Sequence, residues 1–386
     1  MATSECYDTS RRQRTNENRF GVRRFDAAFF LWSWAAQEKE SGVKPPHSKN
    51  GKDRAVKTGT LLLALLGLAA MLPTTAAQDQ PPLIKIGIIG CDTSHVPAFT
   101  DLFNDPKNDG DMAGFKVVAA FPAGTDIPDS KNRVKMYTEQ IQTKWGVEIV
   151  NSIEELLPKV DVVLLESVDG RPHLDQATPV LKAKKKIFID KPIAGTLADA
   201  IRIFELAKQE KTPVFSSSSL RFYPEFRNLK KESKVGNILG CFVYGACSLE
   251  PHHPDLFYYG IHGIETLYTI MGTGCQSVTR VHTKDTDIAT GTWADGRVAT
   301  FRGIRPKPPP YGAVVFGDKG AERIVGSGTY KPLVVEIAKF FRTGVPPVAA
   351  EETIEMFAFM EAADESKRQG GAPVMLEAVL QKARAK

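Results

Sequence analysis

Short apolar runs alternate with amphipathic segments from residue 83 to about residue 215. The runs are rich in valine, isoleucine and leucine and end at turn residues, which is typical of parallel strands buried on both faces. The predicted strands are residues 83–89, 115–121, 147–150, 160–165, 186–189 and 213–215. Helices are predicted between them at residues 94–103, 131–145, 152–157, 173–183 and 197–209. This alternation predicts an α/β fold, with a doubly wound parallel sheet of the Rossmann type over residues 83–215.

The pattern changes near Ser216, after which predicted strands outnumber predicted helices. The strands are residues 240–248, 275–283, 290–293, 298–302 and 313–316, and the helices are residues 260–271, 332–342 and 351–368. Asp295-Gly296, between two of the strands, is a strong hairpin signal. Residues 216–386 are therefore predicted to form a second, α+β domain with a largely antiparallel sheet.

An apolar segment of about a dozen residues, 61–72, precedes these domains and is too short to cross a bilayer comfortably. Lys52, Arg54 and Lys57 come before it, and Thr75-Ala76-Ala77 follow it. Basic residues, a short apolar core and small residues at the end are the pattern of a secretory signal peptide. We therefore expect residues 58–77 to direct export to the periplasm or another extracytoplasmic space. An uncleaved signal that holds the protein at the membrane is the alternative.

Residues 1–57 form a polar extension ahead of the predicted signal. Because signal peptides begin near the N-terminus, this extension is expected to be disordered or to lie upstream of the true translation start. Arg23-Arg24 before the apolar residues 27–36 leaves the twin-arginine export route open beside the general secretory route. N-terminal sequencing of the native protein tests the start, and a peptide from residues 1–50 would contradict it.

Charge is unevenly distributed along the 386 residues, whose formal net charge is +5. Residues 1–77 hold 12 lysines and arginines and 7 acids, which leaves 38 of each in the rest of the chain. A neutral body argues against nucleic acid as a partner and favours a small-molecule enzyme. The cysteines after Cys6 are expected to be buried thiols, with a Cys241–Cys247 disulfide as the alternative in an exported protein.

The turn after the first predicted strand differs from the G-x-G-x-x-G pattern of dinucleotide-binding turns. Those glycines make the tight turn, admit the pyrophosphate and let the helix meet the strand. Residues 90–95 are Gly90, Cys91, Asp92, Thr93, Ser94 and His95, so only the first glycine is kept. Thr93 and Ser94 can donate to an anion at the helix N-terminus, whereas Asp92 either caps the helix or contacts the ligand.

The sequence IFIDKPIAGTLADAIRIFELAK, residues 187–208, resembles the strand, Glu-Lys-Pro turn and helix of the Gfo/Idh/MocA oxidoreductase family. Asp190-Lys191-Pro192 stands at that turn, with Asp190 in place of the glutamate. The resemblance implies that Lys191 lies beside the nicotinamide and the reacting hydroxyl, often before a cis proline. Oxidation of a secondary alcohol needs a base to accept the hydroxyl proton and a cation to stabilise the alkoxide. A lysine at this turn can take part in both.

Further segments of residues 83–385 follow the order of that family. Residues 161–173 resemble its strand, Thr-Pro-Asn loop and histidine, although residues 166–169 are Glu-Ser-Val-Asp. Residues 258–265 resemble its Asp-x-Gly-x-His-x-x-Asp element, with a tyrosine in the first acidic position. The resemblance implies cofactor contacts from the turn, from the loop and from Asp190; it implies acid–base catalysis by His262 and substrate contacts in the second domain. The implied cofactor contacts are Gly90, Asp92, Thr93, Ser94, His95, Ser167, His173, Asp190 and Lys191, and the implied substrate contacts are Arg221, Tyr258 and His253.

His252, His253 and Asp255 lie close to His262 in sequence. Imidazole and carboxylate are ordinary metal ligands, but the spacing matches no metal motif. We therefore expect no metal here and expect polar side chains at the mouth of a substrate site.

The leading hypothesis is an NAD- or NADP-dependent oxidoreductase acting on a sugar, polyol or related hydroxy compound. Residues 121–124 lack the acid that binds the ribose of NAD, so both nucleotides stay open. One alternative is non-net-redox sugar chemistry (elimination, epimerisation or glycoside cleavage) with a resident cofactor. Another is a non-enzymatic binding protein with a decayed phosphate turn. The resemblance also implies a homodimer or homotetramer.

Overall fold

The computed structural model describes residues 82–232 and 234–386, so the predicted extension and signal peptide lie outside the described residues. Within the described ranges, no helix combines the length and the apolar character needed to cross a membrane. Two sheets and their helices occupy one compact unit of the chain.

The first sheet is parallel throughout and six-stranded. Its strands are β1 (Ile84–Ile89), β2 (Phe115–Phe121), β3 (Glu148–Ile149), β4 (Val162–Leu165), β5 (Ile187–Ile189) and β6 (Val214–Ser216), in the order β3-β2-β1-β4-β5-β6. All four residues of β4 are buried, as expected for a strand covered by helices on both faces. This order confirms the predicted Rossmann-type sheet.

Helices connect these strands where the amphipathic segments predicted them. They are α1 (His95–Phe103), α2 (Pro128–Trp145), α3 (Ile153–Leu156), α4 (His173–Lys182) and α5 (Leu197–Gln209). Ser152 accepts a hydrogen bond from the backbone N–H of Glu155 and so caps α3 as predicted. Thr196 caps α5 in the same way through the N–H of Asp199. Helix α2 begins three residues earlier than predicted, because Pro128 is well suited to a first helical turn.

The second sheet is antiparallel except where β7 (Ile238–Ala246) runs parallel to β10 (Val298–Ile304). Its other strands are β8 (Cys275–His282), β9 (Thr286–Trp293), β11 (Gly312–Gly317), β12 (Gly320–Val325) and β13 (Val374–Met375). The predicted hairpin joins β9 to β10, with Gly296 at a φ of 86° in its turn. The sequence did not predict β12, which is mostly polar and exposed, or the two-residue β13.

The remaining helices cover both sheets. They are α6 (Pro224–Arg227), α7 (Leu229–Glu232), α8 (Gly260–Met271), α9 (Lys331–Thr343), α10 (Ala350–Arg368) and α11 (Leu376–Arg384). Helix α9 packs against the first sheet, where the ring of Phe340 lies 4.9 Å from that of Phe215. The predicted division at residue 216 is thus corrected in one respect, since the chain returns to complete the first domain.

Four cysteines are buried free thiols: Cys91, Cys241, Cys247 and Cys275. The alternative of a Cys241–Cys247 disulfide is therefore wrong for this structure. Burial raises the pKa of each thiol to about 12, which makes all four poor nucleophiles.

Candidate functional site

The carboxyl ends of β1, β4, β5 and β6 bring together the segments that the sequence singled out. Parallel strands end at one edge of the sheet, so the loops that follow them are neighbours. These loops comprise residues 90–94, 166–169, 190–191 and 217–219. Ser217 and Ser218 of the last loop contact Glu265 and His262 of helix α8. The place where the loops meet α8 is called the cleft below.

Lys191 and His262, the two predicted catalytic residues, lie on this one cleft. The ammonium nitrogen of Lys191 is 5.9 Å from the ring centroid of Tyr259. The same tyrosine ring is 5.8 Å from the ring of His262. The bond between Lys191 and Pro192 is cis, as the resemblance implied. The two side chains come from positions far apart in the chain and flank a single aromatic ring.

The electrostatic state of His262 suits a proton acceptor. Burial is the largest effect that lowers the pKa of His262 well below its usual range, and the charge of Lys191 lowers it further. Its Nδ1 lies 2.8 Å from Oγ of Ser218, which fixes the orientation of the ring. A neutral, oriented imidazole leaves Nε2 to exchange a proton with a bound hydroxyl group.

The turn after β1 retains two features that fit a dinucleotide. Gly90 has a φ of 85°, and a Cβ there would collide with Ser167, so the close approach of β1 and the β4 loop requires glycine. The hydroxyl of Thr93 is buried at the start of α1 with no partner among the described residues. An unpaired hydroxyl beside a helix N-terminus suits a phosphate oxygen. Ser94 precedes α1 without a side-chain cap, as the predicted phosphate contact allows.

Asp92 is used differently from both roles that its sequence position suggested. Its buried carboxylate accepts hydrogen bonds from the hydroxyl of Ser130, at 2.6 Å, and from the N–H of Val168, at 2.8 Å. Burial is the largest effect on the pKa of Asp92 and raises it. The alternative of a cap on α1 is wrong, because both oxygens are engaged elsewhere. Asp92 ties the turn to α2 and to the β4 loop.

Ser167 and His173 were predicted to contact the cofactor, and both lie behind the cleft. The Ser167 hydroxyl donates to the side-chain oxygen of Gln176 at 3.0 Å. The fully buried His173 ring lies between two backbone carbonyls, those of Ser167 at 2.9 Å and Ile193 at 3.2 Å. Burial lowers the pKa of His173. These contacts brace the β4 and β5 loops against each other, so both residues position the cleft from beneath.

His95 and Asp190, two further predicted cofactor contacts, meet beside a residue that the sequence did not single out. Nδ1 of His95 lies 2.9 Å from Oδ2 of Asp190 and 3.9 Å from Oε2 of Glu166. Both carboxylate side chains are completely buried. Sequence reasoning missed Glu166 because Asp161 and Glu166 both flank β4, and only the fold shows that Glu166 is completely buried.

Arg221 was predicted to contact the substrate, but its guanidinium group is bound by two carboxylates. It pairs with Glu265 of α8 and, at 2.6 Å, with Glu352 of α10. The arginine side chain is nearly buried between them. Arg221 thus joins the segment that enters the second domain to two of its helices, and its contact with a substrate stays a prediction.

Tyr258 and His253, the other predicted substrate contacts, connect the loop before α8 to the first domain. The Tyr258 hydroxyl donates to the carboxylate of Asp129 in α2. The His253 ring lies between Asp169, at 3.2 Å, and Glu250, at 3.0 Å. Both side chains are buried, and their contact with a substrate stays a prediction.

The four residues weighed as a metal cluster in the second domain do not converge. Asp255 pairs with Arg280 at 2.8 Å and with Lys367 at 2.6 Å, away from the carboxylates that hold His253. His262 is engaged by Ser218. These residues are close in sequence, but their possible ligand atoms do not lie together.

Comparison with known proteins follows this geometry. Residues 84–218 match the Gfo/Idh/MocA family, described as an oxidoreductase family with an NAD-binding Rossmann fold. Myo-inositol 2-dehydrogenase of Thermotoga maritima is 32% identical over 127 residues, which are 32% of this chain and 38% of that protein. Inositol 2-dehydrogenase 1 of Saccharopolyspora erythraea is 25% identical over 225 residues, which are 56% of this chain and 61% of that protein. The matched segments span about one to two thirds of the length of these curated relatives.

Solved structures extend the likeness to both domains. The crystal structure of myo-inositol dehydrogenase from Lactobacillus casei, in complex with NAD(H) and myo-inositol, superposes with a TM-score of 0.61 at 18% identity. The superposition covers 76% of this chain and 96% of that protein. At this identity the likeness establishes the fold, including the second sheet that the match to residues 84–218 leaves out.

Proposed function

We propose that this chain, whose residues 84–218 match the Gfo/Idh/MocA oxidoreductase family, oxidises or reduces a carbinol carbon of a polyol or sugar. The inositol dehydrogenases among its relatives support a cyclic polyol or a related hydroxy compound as the substrate class. NAD and NADP are both proposed cofactors, since residues 121–124 supply no ribose-binding acid.

The observation that carries this proposal is the convergence of Lys191 and His262 on one cleft. The neutral imidazole of His262, held by Ser218, accepts the hydroxyl proton as the alcohol is oxidised. The Lys191 ammonium stabilises the negative charge that develops on the same oxygen. In the reverse direction the imidazolium returns the proton to the alkoxide.

The first domain would hold the nucleotide through groups that the structure leaves available for it. The backbone at Gly90 and the unpaired hydroxyl of Thr93 lie where the pyrophosphate of a dinucleotide is bound in this fold. A bound nicotinamide supplies hydride transfer, while the protein provides orientation and charge.

The test begins with the purified chain and its nucleotide content. We expect the protein to bind NAD(H) or NADP(H) in a calorimetric titration and to reduce the oxidised form when myo-inositol or a related polyol is added. The absorbance of the reduced nicotinamide measures the second step. Absence of binding to all four nucleotide forms would contradict the proposal. A nucleotide that copurifies without steady reduction by any polyol would favour non-net-redox chemistry instead.

Export and self-association remain predictions that accompany this proposal. Export rests on the basic, apolar and small-residue segments of residues 52–77. A homodimer or homotetramer is supported by apolar residues that the second sheet exposes, among them Val281, Val298 and Phe316. Light scattering of the purified protein measures the assembly, and a monomeric mass would contradict it.

A further inference from the structure

Three buried side chains form a cluster under the cleft, and it is defined here as the His95–Glu166–Asp190 cluster. His95 begins α1, while Glu166 and Asp190 directly follow β4 and β5. One nitrogen and two carboxylate oxygens of the cluster all lie within 4.8 Å of one another. The cluster therefore brings three metal-ligating groups from three loops to a single point.

The polar atoms of this cluster lack hydrogen-bond partners among the residues that the structure describes. Both oxygens of Glu166, both oxygens of Asp190 and Nδ1 of His95 are buried in this state. Nδ1 of His95 lies 2.9 Å from the nearest oxygen of Asp190, which is within ion-pair distance, but 3.9 Å from Glu166. Burial of a carboxylate without a donor is costly, so the Glu166 carboxylate calls for a further bound group.

The charges around the cluster indicate that this group is a cation. Glu166 and Asp190 face each other in the protein interior, and Asp92 lies close enough to repel Glu166. Lys191 is the one lysine acting on Glu166 among the described residues, and its ammonium group also faces Tyr259. A dication at the cluster would balance both carboxylates.

The sequence supports the same conclusion independently of the charges. His95 occupies the third glycine position of the phosphate turn. Glu166 is the first residue of the loop that stands in place of Thr-Pro-Asn. Asp190 stands in place of the glutamate of the Glu-Lys-Pro turn. Each of these residues appeared to be an isolated departure from the family pattern. The fold brings all three departures together, which is the arrangement expected if they were exchanged to build one site.

We propose that His95, Glu166 and Asp190 bind a divalent first-row transition metal ion, Zn²⁺ or Mn²⁺, beside Lys191. Imidazole and carboxylate ligands suit these ions, which bind them at about 2.0–2.2 Å. Tetrahedral ligand atoms at these distances from an ion lie about 3.3–3.6 Å apart. Nδ1 of His95 lies 2.9 Å from Oδ2 of Asp190 and 3.9 Å from Oε2 of Glu166, on either side of that separation. Three protein ligands leave at least one coordination position of such an ion free for water or for a substrate oxygen, on which the ion would act as a Lewis acid.

The experiment measures metal binding by the full chain without reference to catalysis. We expect mass spectrometry of the purified protein to find about one zinc or manganese ion per chain, removable by a chelator. Titration of the metal-free protein with Zn²⁺ and with Mn²⁺ should restore one site and raise the melting temperature. The Glu166→Gln variant should bind the same ion at least about 10–100-fold more weakly and lose the rise in melting temperature.

A matched control separates this cluster from other buried carboxylates. Glu250 also lies beside imidazoles, but its two oxygens are already engaged by His252 and His253. The Glu250→Gln variant should therefore keep the metal affinity of the parent protein. If Glu166→Gln does not fold, Asp190→Asn provides the same test.

Two results would overturn the metal site. One is the absence of a bound ion together with no heat of binding for either cation, which would mean that Glu166 is kept as a neutral acid. The other is equal affinity in the parent and Glu166→Gln proteins. Nucleotide titrations of the same samples keep this result distinct from the proposed oxidoreductase function, because nucleotide binding can be present or absent whichever way the metal titration turns out.

Discussion

Replacement of His262 by glutamine is expected to lower kcat for polyol oxidation by about 10²–10⁴-fold, the usual contribution of a general acid–base group. Glutamine can keep a hydrogen bond to the substrate but cannot accept its proton. The Kd for the nucleotide should change little, because the phosphate turn is formed by β1 and α1, whereas His262 belongs to α8. Steady-state kinetics and equilibrium nucleotide titration, made on the same preparation, measure the two effects separately.

The pH dependence of kcat/KM is expected to follow the protonation of His262. A histidine with an ordinary pKa stops accepting protons below about pH 6.5. Because burial first, and Lys191 next, lower the pKa of His262, its imidazole stays neutral at lower pH. The acidic fall in kcat/KM for oxidation should therefore lie below that value in the parent protein, and the fall due to His262 should be absent from the glutamine variant.

Ser218→Ala is the companion variant, since it removes the partner of Nδ1 and keeps the imidazole. We expect a smaller loss of kcat than in the glutamine variant, because an unrestrained ring still accepts a proton. A nucleotide affinity that falls in parallel with kcat in the His262 variant would show that the residue holds the fold of the cleft. An unchanged kcat would remove His262 from the mechanism.

The architecture of the first domain was predictable because it depends on local patterns. Each buried parallel strand is a continuous apolar run, and each helix has its own amphipathic spacing and terminal signals. Helix α9 shows the limit of such reasoning. Its apolar face is visible in the sequence, but whether that face covers the first or the second sheet depends on contacts made more than 100 residues away.

The convergence of Lys191 and His262 was predictable because both stand in recognisable motifs. The partners of the other polar residues were not, since they are chosen by the tertiary fold. Asp92 bonds to a backbone N–H that lies 76 residues later. Arg221 and Tyr258 stand at positions that resemble substrate contacts, but neighbouring helices supply carboxylates that engage them first. Residue type indicated polar chemistry at these positions, and only the fold showed which partner each one meets.

Removal of Arg280 from the ion network of β8 is expected to have the second large effect, a loss of stability. Its buried guanidinium group contacts three carboxylates, those of Asp255, Asp287 and Asp364. Its backbone N–H also donates to Ser366 at 2.9 Å. The network therefore ties β8 to β9, to α10 and to the loop before α8.

Arg280→Met is expected to lower the free energy of unfolding by about 3 kcal/mol, near the lower end of the effect of breaking a buried ion pair. The expected loss of stability stays near the lower end of that range because Asp287 keeps its ion pair with Arg305, at 2.5 Å. Burial also raises the pKa of Asp364 to about 7, so this acid can take up a proton when its partner is removed. Urea denaturation of the two proteins measures the difference.

Arg368→Met is the matched control for that comparison, because Arg368 is an exposed arginine of α10 that pairs with Glu365. An exposed ion pair contributes about 0–1 kcal/mol, so this variant should unfold close to the parent protein. Equal losses in the two variants would mean that burial adds nothing to the Arg280 network. If only Arg280→Met is destabilised, the stability of the second domain depends on the buried ion pairs that join its sheet to α10. Methionine has a similar length but no charge. It therefore leaves the carboxylates of Asp255, Asp287 and Asp364 without their shared cation.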